Sequence, residues 1–291
     1  MKASKALGAI LFAVSIPGAA AQPAPPVESV TVTGERARDE QIRSFVQSHT
    51  SPAERLGKIA RWETGVCPIA VGLRPAFLKF LAQEIRDIAA RIGAPVNGRA
   101  SCRPNIEIVF TTVPQALVEN IRVHNRVYLG YRASNRQSDA LAIVSRPIQS
   151  WYLTATLDMN NEPHIDTRQG FGYYSTAVTG SRLSNGLHSG LNHVIIVADP
   201  TRLADHEIGA LADYIAMLAL AQPNDLDDCE VLPSIMNLLA RNCAGAGAAR
   251  AISDSDLGYL RGVYHMPADG SLNIQQDAIA YQMKKTLGGR E

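Results

Sequence analysis

The sequence predicts an α+β fold with helical segments in the first and last thirds and strands in the middle. Apolar residues recur at intervals of three and four in the outer segments, which is the spacing of an amphipathic helix. The middle instead contains β-branched and aromatic runs that are typical of strands. No segment repeats with a period of about 20 to 50 residues. One α+β domain is therefore the economical assignment.

The first 21 residues match the pattern of a secretory signal peptide. Residues 1–5 form a short basic start, residues 6–16 are apolar and uncharged, and Pro17 with the following glycine breaks the helix before three alanines. We expect cleavage after Ala21 and an exported protein that is periplasmic or secreted. A retained N-terminal anchor is the alternative, but the apolar run is shorter than the roughly 20 residues that span a bilayer.

The chain is nearly neutral, which excludes some classes of protein. Its 291 residues include 28 Lys and Arg and 27 Asp and Glu, and the leader contains two of the lysines and no acid. A nucleic-acid binder needs a surplus of basic residues to neutralise phosphates, so we expect no nucleic-acid partner. After the leader, no apolar run is long enough for a transmembrane segment.

Residues 22–40 are predicted to form a proline-rich flexible tail in front of a single globular domain at 41–291. Residues 22–26 (Gln-Pro-Ala-Pro-Pro) cannot form a helix or a central strand. Residues 27–34 alternate between polar and β-branched types, which indicates a short strand or an extended recognition segment. A flexible tail is the simpler interpretation.

Helical periodicity starts near Asp39, and a second short apolar stripe follows at 56–62. The clearest helix begins at Pro75 and stops at Gly93, because proline suits the first turn of a helix and glycine suits its C-terminal cap. A further helix is predicted at 114–121.

Three strands are predicted between these helices and the last third of the chain. Residues 105–111 alternate between apolar and polar types, as in a strand with one buried face. Residues 150–157 are β-branched and aromatic, and residues 193–198 form an apolar run that we expect to be covered on both faces. The glycine- and serine-rich segment 170–190 is predicted to be a long loop.

The last third of the chain contains two predicted helices. The first, at 205–221, has apolar residues at helical spacing and ends before Pro223. The second, at 253–264, begins with Ser-Asp-Ser-Asp, which supplies an N-cap and acidic residues for the first turn.

Four cysteines remain after the leader, and an even number in an exported chain indicates disulfides. Three pairings are possible. We favour Cys67–Cys102 and Cys229–Cys243, because each pair closes a short loop around one supersecondary unit. A four-cysteine zinc site is the alternative, but it normally shows Cys-x-x-Cys pairs, and the sequence contains none.

Three segments resemble parts of the metzincin zinc metalloproteases. Residues 232–237 (Leu-Pro-Ser-Ile-Met-Asn) are similar to the methionine turn beneath the metal of those enzymes, and residues 252–264 resemble their closing helix. Residues 212–222 lie where the active-site helix belongs. The resemblance covers roughly residues 70–266. The chain is also similar to a family of secreted bacterial proteins with the same ending.

The resemblance implies a zincin-like fold. Such a fold has a mixed twisted sheet, a long N-terminal helix, a former active-site helix, a methionine turn and a C-terminal helix. The helix predicted at 75–92 and the strand at 105–111 lie where the family's first long helix and an early strand belong.

The zinc ligands of that family are missing from this chain. In those enzymes two histidines four residues apart bind zinc, a glutamate between them is the general base, and a glycine precedes a third histidine. Aligned on that motif, Ala212 and Ala216 replace the first two histidines, Asp213 replaces the base, Ala219 the glycine and Gln222 the third histidine. A methyl group donates no lone pair, so we expect no metal and no other cofactor.

The resemblance therefore implies a non-enzymatic protein of the cell envelope that binds a peptide or another protein. In the family's fold, a cleft between an edge strand and the active-site helix accepts an extended peptide by strand addition. Residues 193–198 are the candidate edge strand. The predicted binding residues are His193, Ile195, Val197, Asp213, Ala216 and Met236.

Two other functions remain open. The first is a hydrolase or peptidase with a non-standard metal site at His206, Glu207 and Asp213, because His206 and Asp213 are seven residues apart on one helix face. His188 and His193 are further candidate ligands. The second is a structural envelope protein whose proline-rich tail tethers it to a partner.

Overall fold

A five-stranded mixed sheet lies at the centre of the fold. The structure is a computed structural model, and it describes residues 28–99, 101–130, 135–165, 186–224, 227–241, 243 and 250–288. Its strands are β1 (Pro68–Val71), β2 (Ile106–Phe110), β3 (Ile148–Leu157), β4 (Pro163–Ile165) and β5 (His188–Ala198). Its helices are α1 (Glu28–His49), α2 (Pro75–Ile92), α3 (Pro114–His124), α4 (Asn135–Leu141), α5 (Ile208–Leu220), α6 (Asp254–His265) and α7 (Leu272–Gly288), with 3₁₀ turns at Arg126–Leu129, Pro200–Arg202 and Ile235–Leu238. The predicted α+β class is confirmed.

The strand order is β1-β2-β5-β3-β4. β1, β2 and β5 are parallel to one another, whereas β3 is antiparallel to both β5 and β4. β5 therefore lies between two partners, and β1 and β4 form the edges of the described sheet. The apolar residues 194–198 of β5 are all buried. A strand that is apolar on both faces suits this central position.

The two faces of the sheet are covered by separate apolar clusters. Val194 and Ile196 of β5 belong to a large cluster that also contains side chains of α1, α2, α5, α6 and α7. Ile195 and Val197 belong to a smaller cluster with Trp151, together with side chains of α3 and the 3₁₀ turn that follows it. Since successive side chains of a strand point to opposite faces, the sheet separates the two clusters.

The helix α1 begins earlier than the sequence predicts. Residues 28–40 are helical, so the short strand or extended segment expected at 27–34 is wrong for residues 28–34. The buried residues Ile42, Phe45 and Val46 anchor α1, and the helix-forming sequence 35–41 extends it at little cost once it is nucleated. The boundary between two units of the chain falls inside α1, between Ala37 and Arg38. Residues 1–27, with the predicted signal peptide, lie outside the described residues.

The most deeply buried helix is α5, which is covered at every residue from Ala210 to Leu220. Such a helix leaves its last carbonyl groups away from water, and these groups need other partners. Trp62, Tyr152 and Tyr264 supply them, because each donates a side-chain hydrogen bond of 2.8 to 2.9 Å to a carbonyl in the last turn. Trp62 belongs to an irregular segment, so the apolar stripe predicted near it is not a helix. Within the described residues, neither α5 nor any other helix is long and apolar enough to cross a membrane.

Both predicted disulfides are present. Cys67 and Cys102 are bonded with their Cα atoms 6.1 Å apart, and Cys229 and Cys243 with theirs 5.1 Å apart. The four cysteines are therefore not available to bind zinc. Two disulfides in one domain are consistent with an exported protein, because such bonds persist in oxidising compartments.

Candidate functional site

The six residues of the predicted cleft do not share one surface. Ile195 and Val197 face the small cluster on one side of the sheet, whereas Ala216 and Met236 belong to the large cluster on the other side. The assignment of residues 193–198 to an edge strand is wrong, because β5 pairs with β2 on one side and β3 on the other. The backbone of residues 194–198 is already paired on both sides, so this part of the strand cannot accept an added strand.

Asp213 occupies the position of the general base in the resemblance, but its carboxylate has a structural partner. The residue is only 7% exposed, and its Oδ2 atom accepts a hydrogen bond of 2.7 Å from the backbone N–H of Ile252. Burial raises the pKa of Asp213, while the Ile252 hydrogen bond and the charge of Arg91 oppose this effect. Asp213 thus fixes the segment that leads into α6.

The turn that contains Met236 packs against α5. Asp256, a fully buried residue in the first turn of α6, holds this turn in place. One of its carboxylate oxygens accepts the hydroxyl of Ser234 at 2.6 Å, and the other accepts the backbone N–H groups of Ile235 and Ser253 at 2.8 and 2.9 Å. A single buried carboxylate therefore ties the turn that contains Met236 to the start of α6.

The alternative metal site is not assembled by the fold. His206 precedes α5 and Glu207 is the N-cap residue of this helix, whereas Asp213 lies inside it. Within the described ranges, no three His, Cys, Asp or Glu side chains are grouped so that they could hold a metal ion. The additional candidates His188 and His193 have other neighbours, an asparagine amide oxygen and a glutamate respectively.

A surface groove contains one residue of the predicted cleft, His193. This groove, which we name the Asn192 groove, has a volume of about 660 Å³. It lies where β1 and β2 begin, because Asn105 precedes β2 and is the neighbour of His193 across the sheet. It is lined by Thr64, Gly65, Asn97, Arg103, Pro104, Asn105, Val127, Tyr128, Leu153, Asn192 and His193.

A β-bulge explains why Asn192 and His193 both line this groove. Leu153 of β3 pairs with His193, but the next residue, Thr154, pairs with Leu191, so Asn192 is an extra residue in β5. Two residues of the bulged strand then oppose one residue of its partner, which interrupts the alternation of side chains. Leu191 accordingly contributes to the large cluster, while Asn192 and His193 face the groove. Bulges are frequent beside functional sites.

His193 forms part of the floor of the groove, and its side chain is 12% exposed. Its Nε2 atom lies 3.6 Å from a carboxylate oxygen of Glu107, and its ring lies against that of Tyr128 with the centroids 4.8 Å apart. Burial lowers the pKa of His193; Glu107 opposes this effect and Arg103 adds to it. The imidazole is therefore neutral near pH 7, and it holds a fixed orientation between the aromatic ring and the carboxylate.

Arg103 lies at the groove on a restrained segment. It stands between Cys102, which is bonded to Cys67, and Pro104, whose ring fixes one backbone angle. The following residue, Asn105, accepts the backbone N–H of Cys67 at 2.7 Å and donates its amide to a nearby carbonyl at 3.2 Å. A disulfide, a proline and a bridging amide thus hold the backbone that carries the guanidinium.

The site predicted from the sequence does not include Asn192, Arg103 or Tyr128. One signal was available for the first, because the successive polar residues Asn192 and His193 break the alternation that is expected in a strand. Arg103 directly follows a predicted disulfide cysteine. Tyr128 had no local signal, since only the packing of its 3₁₀ turn against the sheet brings it to His193.

A second groove of about 440 Å³ lies between α1 and α7. It is lined by Arg43, Val46, Gln47, Asn273, Gln276, Asp277 and Ala280. It contains none of the predicted binding residues, and its walls come from two helices alone. The Asn192 groove, with its bulge and its oriented histidine, is the stronger candidate.

Comparisons with known proteins give no relative from which a function could be transferred. No protein-family model matches the chain. A search of curated proteins and a search of solved structures also found no match.

Proposed function

We propose that this chain is an exported, non-enzymatic protein that binds a segment of a peptide or protein in the Asn192 groove. The observation that carries this proposal is the groove itself, in which a bulge turns Asn192 and His193 to the same side of the sheet. The two disulfides support the exported location, periplasmic or secreted.

The chemistry of the groove suits a polypeptide. Apolar surface from Val127, Leu153 and Pro104 can cover aliphatic side chains, while Asn192 and Tyr128 offer hydrogen-bonding groups. Its volume of about 660 Å³ lies within the range of ordinary ligand sites. Pockets that combine an apolar wall with a few oriented polar groups are typical of binding sites.

The proposal includes a zincin-like fold that has lost its metal chemistry. The packing of the Met236 turn against α5 supports it, as does the closing helix that follows. In this frame Ala212 and Ala216 occupy the ligand positions, and both are buried in the large apolar cluster. Side chains that end in methyl groups cannot coordinate zinc, which favours binding over hydrolysis.

Recognition through side chains in the groove is favoured over strand addition at a sheet edge. The edge strands of the described sheet are short, four residues for β1 and three for β4, and both begin with proline. Short edges and edge prolines are features that prevent strand addition, because proline offers no N–H group to a new partner. Contacts made by the side chains of the groove need no free strand edge, so the short edge strands do not limit them.

A peptide library tests the proposed function. The purified protein is incubated with synthetic hexapeptides that have free carboxyl termini, and the retained peptides are identified by mass spectrometry. Asn192→Trp fills the groove from an exposed position, so it should abolish retention. Asn160→Trp places the same side chain on the exposed turn after β3, outside the groove, and should retain the same peptides as wild type. The proposal is contradicted if wild type retains no peptide, or if Asn192→Trp retains the same peptides as wild type.

A further inference from the structure

We infer that the Asn192 groove binds a carboxylate group of its polypeptide ligand on the guanidinium of Arg103. This inference rests on the proposed function and adds the chemical class of the ligand. The carboxylate is either the C-terminal group of the ligand or an aspartate or glutamate side chain, and the experiment below separates these two sources.

The charge of the groove points to an anionic group. Of the residues that line it, Arg103 is the one with a permanent charge, and none of the lining residues in the described structure is acidic. His193 adds no positive charge near pH 7, because burial lowers its pKa. The lining therefore has a net charge of one positive unit, which favours a ligand with one negative charge.

Arg103 is available for such a contact. Within the described residues, no ion pair or hydrogen bond engages its exposed guanidinium. The planar guanidinium presents paired N–H donors that match the two oxygens of a carboxylate. Because the neighbouring disulfide and proline already restrain its backbone, less conformational entropy is lost when the contact forms.

Other groups that line the groove can also donate hydrogen bonds to a carboxylate. Thr64 and Tyr128 have hydroxyl groups, and Asn192 has an amide that can donate hydrogen bonds. One acid near the groove floor, Glu107, lies against His193 and is not part of the lining. Its negative charge disfavours a ligand carboxylate beside His193, which leaves Arg103 as the contact for the anionic group of the ligand.

The test uses four forms of acetyl-Ala-Leu-Tyr-Glu-Leu-Ala, with Glu or Gln at the acidic position and a free or amidated C-terminus. Affinity is measured by isothermal titration calorimetry. At least one form with a carboxylate should bind about ten times more tightly than the form that lacks both carboxylates. If the form with Gln and a free C-terminus shows this preference, the bound carboxylate is the C-terminal group. If the form with Glu and an amidated C-terminus shows it, the bound carboxylate is the side chain.

Substitutions then assign the effect to Arg103. Arg103→Ala should remove the tenfold preference, and Arg103→Lys should retain about a third of the affinity, because an ammonium keeps the charge but not the paired donors. Arg202 is an exposed arginine that follows β5 and does not line the groove. Arg202→Ala should therefore bind all four peptides with wild-type affinity. Higher salt should weaken wild-type binding of the acidic forms, and this measurement needs no variant.

The outcomes separate this inference from the proposed function. If all four peptides bind wild type equally and Asn192→Trp still abolishes binding, the carboxylate inference is wrong and the groove remains the binding site. If the tenfold preference persists in Arg103→Ala, the carboxylate is bound elsewhere and the inference is again wrong. If none of the peptides binds, or if Asn192→Trp binds them as well as wild type, both proposals fail.

Discussion

Acid should weaken the fold through His49, a residue in the last turn of α1 that is only 2% exposed. Its ring stacks on Phe45 with the centroids 3.9 Å apart, and its Nδ1 atom lies 3.1 Å from the Phe45 carbonyl oxygen. The buried Nε2 atom has no hydrogen-bond partner among the described residues. Glu230 has a carboxylate oxygen 3.4 Å from Nδ1, but that oxygen accepts the hydroxyl of Ser48 at 2.6 Å. Burial dominates and lowers the pKa of His49 to about 4, although the hydrogen bond to Phe45 partly opposes it.

The unfolded chain binds a proton at His49 more tightly than the folded chain does. The pKa is 6.5 in the unfolded state and about 4 in the folded state, so protonation between these values favours unfolding. The stabilisation that depends on neutral His49 is complete above about pH 6.5 and is lost as the pH falls towards 4. From these two pKa values, the free energy of unfolding falls by about 2 kcal/mol at pH 5 and by about 3 kcal/mol at pH 4, relative to neutral pH.

The assay compares urea unfolding of wild type and His49→Phe by circular dichroism, over a pH range of about 7.5 to 4. The variant keeps an aromatic ring on Phe45 but cannot be protonated. Other titrating groups are common to both proteins, so they cancel in the difference of unfolding free energy. This difference should shift by about 3 kcal/mol in favour of the variant across the range. Val46→Ala, a buried non-titrating control in the same helix, should differ from wild type by a constant amount. Parallel profiles for wild type and His49→Phe would refute the reasoning.

Three further changes should lower stability, and a matched control for the first of them should not. Gly262→Ala should destabilise the protein by more than about 1 kcal/mol in thermal unfolding, because the new methyl would lie 2.7 Å from a backbone Cα atom of α7. Gly209→Ala, a helical glycine with open space around it, should be neutral or stabilising by up to about 1 kcal/mol, and equal effects would contradict the packing argument. Asp256→Ala should cost about 3 kcal/mol in urea unfolding, because it leaves two buried donors and one half-buried donor unpaired; a loss below about 1 kcal/mol would show that water replaces the carboxylate. Replacing Cys229 and Cys243 by serine opens a loop with a sequence separation of 14 and should cost about 3 kcal/mol, and an unchanged urea midpoint would contradict this.

The sequence predicted those features that depend on local signals. The helix α2 begins at Pro75 as expected, and Gly93 caps it in the left-handed conformation with φ of 83°. Cysteine spacing predicted both disulfides. These predictions succeeded because each signal involves residues that are close together in the chain.

The order of strands depends on long-range pairing and was harder to predict. The continuous apolar run of β5 did indicate a strand covered on both faces, but the resemblance suggested an edge, and that assignment was wrong. With four and three residues, β1 and β4 are too short to show a periodic pattern.

The helix α7 was missed because a polar residue faces the core. Gln275 is fully buried and accepts the backbone N–H of Ile59 at 2.8 Å, while its amide group donates to the carbonyls of Pro267 and Ala268, just after α6. A glutamine at a core position interrupts the apolar stripe by which a helix is recognised in sequence. Its partner is more than two hundred residues away, so no local pattern reveals the pairing.

The most direct test of the account is an NMR titration of the ¹⁵N-labelled protein with acetyl-Ala-Leu-Tyr-Glu-Leu-Ala. We expect the largest shifts at the side-chain amide of Asn192, the backbone N–H of Gly65 and the guanidinium of Arg103, which all belong to the Asn192 groove. Shifts confined to the groove between α1 and α7, or no shifts at saturating peptide, would contradict the central claim.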